Sequence, residues 1–394
     1  MNAPNASWLT KLFAPITPET FRNEYFEKKP LVVKRNSPNH LDSVLTLDEM
    51  DRVITTFQLS HPDIAMADAS REVKTTDYTY QNGVIDVARL YQQYFQGATI
   101  IVNQLERYLP SLSDVCRSLE RELTTRFQAN VYLTPRQDQG LRTHYDSHDV
   151  IVLQMHGVKH WRIYQTPVEL PFRGQAYADN PAPPGEVTME FDLEPGDALY
   201  LPRGVMHDAG SLSNDSLHVT IGLLHTSWTE LFLEAVARVG LRDADFRRSL
   251  PLGFVHSATE RAAVVKEFQR LAAKLVEQFD ADAALDHFTD ELVSTRQSLL
   301  RGQLDQIRRL HTVTSDARAG VRANLLYRTH LIKEQVIVSC YAGEIRFPAH
   351  ASEALEYALS HGDFVIKELP GDLDDDGKLV LVKRLVREGL VSLL

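Results

Sequence analysis

The chain has 394 residues, enough for two or three domains with a full apolar core. Its 43% hydrophobic and 24% charged residues are those of an ordinary globular protein, and no run reaches the roughly 18 apolar residues that suggest a membrane span. A net charge of -11 argues against a general nucleic-acid binder, and two isolated cysteines, Cys116 and Cys340, form neither a disulfide framework nor a zinc-thiolate site.

The polar stretch Met1 to Thr10 lacks the basic and apolar regions of a secretory leader, so a reducing, cytoplasmic setting is expected. Thr17 and Pro18 read as the N-cap and first residue of a helix, and Leu31-Val32-Val33 as a short strand. Thr46-Leu47-Asp48-Glu49 has the form of a capping box opening a second helix. Residues 85–95 are expected to be helical, 100–102 a strand, and 111–126 one amphipathic helix.

From 127 to 225 short β-type runs follow one another: 129–133, 149–154, 158–164, 187–193, 198–201 and 217–224. The Glu194-Pro195-Gly196-Asp197 turn separates two of them, and the whole region reads as a barrel or sandwich. From 228 to 315 the apolar period becomes helical, as in Leu231, Ala235 and Val239, or Leu271, Leu275 and Phe279. Such helices outside a barrel suit packing on a second subunit. The remaining residues mix strands (334–339, 344–347) with helices (352–361, 378–388), as a small winged-helix-like module would.

The chemistry concentrates in His144-Tyr145-Asp146, Lys159 and His207. If 144–146 were a strand, His144 and Asp146 would share a face, and His207, after the Leu201-Pro202-Arg203-Gly204 turn, could complete the set. Two imidazoles and one carboxylate leave open positions on a non-haem ferrous ion. Lys159 alternates with Trp161 and Ile163 and so should point inward, where an ammonium needs an anion. The far carboxylate of a keto-diacid would supply one, which points to an Fe(II)/2-oxoglutarate oxygenase. His148, His156, His160 and His218 read as structural or supporting, and Asp149, His218 and Thr220 as candidates for orienting the metal-bound imidazoles.

Three stretches resemble the JmjC-type ribosomal oxygenases of the cupin superfamily. They are Asn130-Val131-Tyr132-Leu133-Thr134-Pro135 with Gln139-Gly140-Leu141 and His144-Tyr145-Asp146; Val152-Leu153-Gln154 with Gly157-Val158-Lys159-His160-Trp161-Arg162; and Leu193 to His207. Tyr25-Phe26-Glu27-Lys28-Lys29-Pro30-Leu31 is similar to the family's N-terminal segment.

The resemblance implies an α+β chain with a double-stranded β-helix (jelly-roll) core over 1–226, a helical dimerisation region over 227–315 and a winged-helix-like domain over 316–394. It implies iron ligands at His144, Asp146 and His207, 2-oxoglutarate binding by Lys159 with Tyr132 and Asn130, and O2 as the second co-substrate. The implied reaction is hydroxylation of a histidine or arginine side chain in a ribosomal protein or other peptide, by a homodimer with no membrane or direct nucleic-acid partner. A ribosomally made natural-product peptide is an alternative substrate.

Two further readings compete. A cupin metalloenzyme of another class would leave Lys159 unexplained, whereas a non-catalytic cupin/winged-helix regulator would predict specific DNA binding. The acidic run Asp372 to Gly377 opens like a calcium loop, but its twelfth position is Lys383, so it reads as a turn capping the next helix. Arg247-Arg248 and Arg308-Arg309 read as solvated pairs.

Overall fold

The computed structural model describes residues 7–178 and 181–394; the Met1 to Ala6 part of the leader reading lies outside them. The chain divides into two units, one running through His225 and the other from Thr226 to Leu394.

In the first unit, local signals set the helices. Helix α1 (Trp8–Phe13) begins where the Ser7 hydroxyl accepts from the Thr10 N–H, and α2 (Pro18–Thr20) is capped in the same way by Thr17. Thr46 and Glu49 form the reciprocal capping box of α3 (Leu47–Thr56), and Asp86 caps α4 (Val87–Phe95). The helix expected over 111–126 is α5 (Pro110–Leu123). It stops early because Thr124 adopts a left-handed φ of 51° that breaks the helix, and Arg126 already opens a strand.

The strands are β1 (Leu31–Val33), β2 (Ile64–Ala67), β3 (Thr99–Val102), β4 (Arg126–Thr134), β5 (Asp149–His156), β6 (Lys159–Tyr164), β7 (Val187–Leu193), β8 (Ala198–Leu201), β9 (His207–Ser211) and β10 (Ser216–Leu224). They form a seven-stranded sheet in the order β1-β8-β5-β10-β4-β3-β2 and a three-stranded sheet in the order β7-β6-β9. Every pairing in both sheets is antiparallel.

Alternation along each strand of the larger sheet divides its side chains between two cores. Ile151 and Leu153 of β5, Ala198 and Tyr200 of β8, and Val219 and Ile221 of β10 pack outward with the N-terminal helices. Val150, Val152, Leu199 and Leu201 point the other way and meet Trp161, Ile163 and Leu193 of the smaller sheet. β5 is therefore buried on both faces, which explains its nearly unbroken apolar run. The result is a two-sheet jelly roll of the double-stranded β-helix kind, with an apolar plug between the sheets and polar inward positions elsewhere.

Gly157 makes the β5–β6 turn possible. Its φ is 65°, and a Cβ there would lie 1.9 Å from the Asp215 carbonyl oxygen.

The second unit holds α6 (Trp228–Arg242), α7 (Ala258–Gln278), α8 (Ala281–Ser294) and α9 (Gln303–Arg309). Beyond them come β11 (Arg318–Val321), β12 (Tyr327–Ile332), β13 (Gln335–Cys340), β14 (Gly343–Pro348), α10 (Ser352–Ser360), β15 (Phe364–Val365), α11 (Asp375–Arg387) and β16 (Val391–Leu393). β15-β11-β16 and β12-β13-β14 make two small sheets around a separate core that includes Leu355, Leu385 and Val386. The acidic run behaves as a cap: the Asp374 carboxylate accepts from the Gly377 N–H, so α11 starts at Asp375 rather than at Lys378.

Candidate metal and co-substrate site

His144 and Asp146 do not lie on a strand. The segment before β5 is irregular and touches the sheet through a single antiparallel bridge, His144 to His207. The His144 N–H donates to the His207 carbonyl at 3.0 Å, and the His207 N–H returns the bond at 2.8 Å. The Gly204 N–H then donates to the Asp146 carbonyl at 2.9 Å. The pair is thus brought together by tertiary bonds, not by the strand alternation expected for it.

His144, Asp146 and His207 each offer one ligand atom, and these atoms lie within 4.8 Å of one another. The His144 Nε2 to Asp146 Oδ1 distance is 3.9 Å, and His207 Nε2 to Asp146 Oδ2 is 3.8 Å. Two imidazole nitrogens and one carboxylate oxygen this close together fit a divalent first-row metal, which the three residues would hold between them.

Both rings are oriented by backbone, not by the expected Asp149, His218 or Thr220. His144 Nδ1 bonds the Arg142 carbonyl at 2.8 Å and His207 Nδ1 the Val205 carbonyl at 2.9 Å, leaving each Nε2 for the shared point. Burial, reinforced by His144, pushes His207 down to about 4, so its ring is neutral and able to ligate. Burial would raise the Asp146 carboxyl, but the surrounding imidazoles of His144, His207 and His148 more than offset it and hold it below the ordinary carboxylate range. Asp149 instead accepts from the Tyr200 hydroxyl and the Arg203 N–H, fixing the turn that leads to His207.

The triad opens into a cavity of about 100 Å³ between the two sheets. Lys159 lies in it, 4% exposed, inward as the alternation requires. In the β6–β9 register Lys159 faces Ser211 and His207 faces Ile163. The lysine therefore sits four residues, roughly 13 Å, along the strand from the metal ligand, a gap that its flexible stem and a small diacid can span. Its Nζ donates to Thr134 Oγ1 at 3.1 Å and lies 3.4 Å from His218 Nδ1. Among the described residues no carboxylate pairs with it, and burial pushes it down to about 7.

Tyr132 also lines the cavity and stacks on His218 with ring centroids 4.9 Å apart. Burial, then the nearby Asp146 charge, raises its phenol, which stays protonated. Asn130 shares the inward face of β4 but does not line the cavity; its amide oxygen accepts from the Gln104 N–H and from Gln128 Nε2.

Sequence reasoning passed over Thr99 and Thr134. Both are buried, and Thr99 Oγ1 donates to Thr134 Oγ1 at 3.1 Å, completing a relay to Lys159. The signal was available: threonine at an inward position of β4, two residues from Tyr132. Gly140 lets this pair in, since a Cβ there would stand 2.4 Å from Thr99 Oγ1.

Comparison with known proteins shows what the chain is similar to. The JmjC domain family matches residues 102–231. The chain is 28% identical over 433 residues to bovine "Ribosomal oxygenase 2", covering all of this chain and 93% of that protein. It is 29% identical over 297 residues to the Aedes aegypti "Bifunctional lysine-specific demethylase and histidyl-hydroxylase NO66", spanning 72% of this chain but only 46% of that longer protein. Among solved structures, Escherichia coli YcfD, a ribosomal oxygenase in complex with cobalt and 2-oxoglutarate, superposes with a TM-score of 0.53 at 14% identity, over 95% of this chain and 97% of that one.

Proposed function

We propose that this chain, which belongs to the JmjC-type ribosomal oxygenases, is an Fe(II)- and 2-oxoglutarate-dependent oxygenase that hydroxylates a side chain of a ribosomal protein. The observation that carries the reading is the juxtaposition of the His144-Asp146-His207 trio with a buried ammonium that has no carboxylate of its own. Similarity to a protein named as a histidyl-hydroxylase favours histidine over arginine as the target. Succinate release from 2-oxoglutarate with iron, O2 and a ribosomal-protein peptide tests it; no release under any of these conditions would end the reading.

His144, Asp146 and His207 would hold the metal. When bound, Fe(II) couples oxidation of 2-oxoglutarate to succinate and CO2 with insertion of the second oxygen atom of O2 into a C–H bond. The chain's own side chains do the rest. Lys159, steadied by Thr134, takes the carboxylate remote from the metal, and the protonated Tyr132 hydroxyl is available as a further donor. Asn130, two residues earlier on the same strand face, hydrogen-bonds the Tyr132 side chain. Val150, Val152 and Trp161 keep water from the cavity wall, so that one substrate bond is presented and side reactions are suppressed.

Co-substrate binding should be linked to pH through Lys159. Pairing with a carboxylate favours the ammonium and raises its pKa above the value of about 7 that burial gives it. Binding therefore takes up a proton above that pH. Affinity is full below pH 7 and weakens by about tenfold per unit above it, until the raised pKa is reached. Titration calorimetry of 2-oxoglutarate with Co(II), in buffers of different ionisation heat, reads this uptake directly; an affinity flat from pH 6 to 9 would contradict it.

The 227–315 helices serve as a dimerisation region in this reading, and 316–394 as a winged-helix-like module. Support comes from the apolar side chains that α6 and α7 expose: Trp228 is 77% exposed, Phe232 56%, Phe268 70% and Val276 69%. Sedimentation should give a dimer at micromolar concentration, converted to monomer by Phe232→Glu with Phe268→Glu; a wild-type monomer would remove the idea. The two buried free thiols fit a reducing, cytoplasmic setting. No helix among the described residues is long and apolar enough to cross a membrane.

A further inference from the structure

The metal trio depends on an irregular segment that meets the sheet at one bridge, which raises the question of what fixes it. On the outer face of the small sheet, directly behind His207, lies Asp208, only 4% exposed. Its Oδ2 accepts from the Thr143 hydroxyl and from the Tyr164 hydroxyl, each at 2.7 Å, and its Oδ1 accepts from Arg162 Nε at 2.9 Å. Thr143 immediately precedes His144. Arg162 and Tyr164 stand on β6, the strand that carries Lys159.

One carboxylate therefore ties three pieces together: the segment bearing His144 and Asp146, the strand bearing His207, and the strand bearing Lys159. The His144–His207 bridge holds the two ligand backbones on the inner side. The Gly204 N–H holds the Asp146 carbonyl on the C-terminal side of that bridge. The Thr143–Asp208 bond, from the opposite face, adds an anchor on its N-terminal side, next to His144. A buried, multiply bonded carboxylate makes strong, directional bonds, so the clasp is stiff.

We infer that Asp208 is a positioning residue for the metal centre, acting through Thr143 to set the His144-to-His207 geometry and hence the metal affinity. This inference rests on the reading of His144, Asp146 and His207 as metal ligands.

The test uses Co(II) as the probe, with the full chain. Calorimetry and the visible d–d bands of bound Co(II) are compared for wild type, Asp208→Asn, Thr143→Val, Thr143→Ser and Asp146→Ala, with thermal unfolding of the metal-free proteins as the folding control. Thr143→Val and Asp208→Asn should weaken Co(II) binding by about 10- to 100-fold and shift its bands. Thr143→Ser, which keeps the hydroxyl, should bind as wild type. Thr143→Val lies at the periphery of the clasp and carries the test if Asp208→Asn fails to fold. Unchanged Co(II) affinity and bands in a folded Thr143→Val protein would overturn the clasp while leaving the metal site standing. Wild-type protein that binds no Co(II), or Asp146→Ala protein that binds it equally well, would overturn the ligand assignment and the clasp with it.

Discussion

Asp146→Ala should abolish succinate formation, with a loss on the order of a thousandfold or more, because it removes the only carboxylate in the metal trio and its anionic contribution to holding a divalent ion. The fold should survive. Asp146 belongs to an irregular segment, and its backbone bond from Gly204 does not involve the side chain. The diagnostic difference lies in metal-linked stability. At a metal concentration about 100 times Kd, wild type should gain about 2.7 kcal/mol, roughly 5–10 °C in Tm for a unit of this size. Asp146→Ala should gain nothing. Differential scanning with and without Co(II), beside the succinate assay, separates a lost site from a lost fold. Full turnover in this variant would show that the iron is held elsewhere.

Lys159→Met should raise the 2-oxoglutarate requirement by roughly 30- to 1,000-fold, the equivalent of about 2–4 kcal/mol for losing one partner of a buried charged pair. The same variant should be more stable than wild type when no co-substrate is present. The ammonium is buried without a counter-ion, and methionine keeps its length and shape while removing the charge. Thr134 retains its bond from Thr99, so no hydroxyl is stranded. A gain of at least about 1 kcal/mol in denaturant unfolding is expected. The sign also follows from linkage: a lysine whose folded pKa is depressed weakens the fold fully below about pH 7, and the penalty fades as pH rises toward its unfolded pKa. An unchanged apparent affinity for 2-oxoglutarate would remove Lys159 from the co-substrate site.

These effects show which parts of the molecule could be read from its sequence. The alternation of Lys159, Trp161 and Ile163 placed the lysine inward, and β6 has that pattern of burial. The Thr46–Glu49 box and the Thr17-Pro18 start formed because capping depends on a few adjacent residues. Interactions between distant segments were less legible. The spacing of His144 and Asp146 suits a strand, yet a lone bridge to His207 and a bond from Gly204 hold them instead. The groups orienting both imidazoles are the Arg142 and Val205 carbonyls, which every residue type possesses and no sequence pattern marks. Thr134 became visible as a partner of Lys159 only when β4, β10 and β6 were assembled. The strands β15 (two residues) and β16 (three residues) are too short to carry a period of their own.

The exposure of the polar groups in the cavity rises steadily toward one end. Thr134 is fully enclosed and Lys159 and His218 are each 4% exposed, whereas the side chains of His144 and Asp146 are 22% and 31% exposed. The metal-binding trio therefore includes the groups nearest the open end, and the ammonium sits deeper. On the proposed reading, a small acid bound by Lys159 would have to enter past His144 and Asp146, so it would go in ahead of any larger molecule that settles over them.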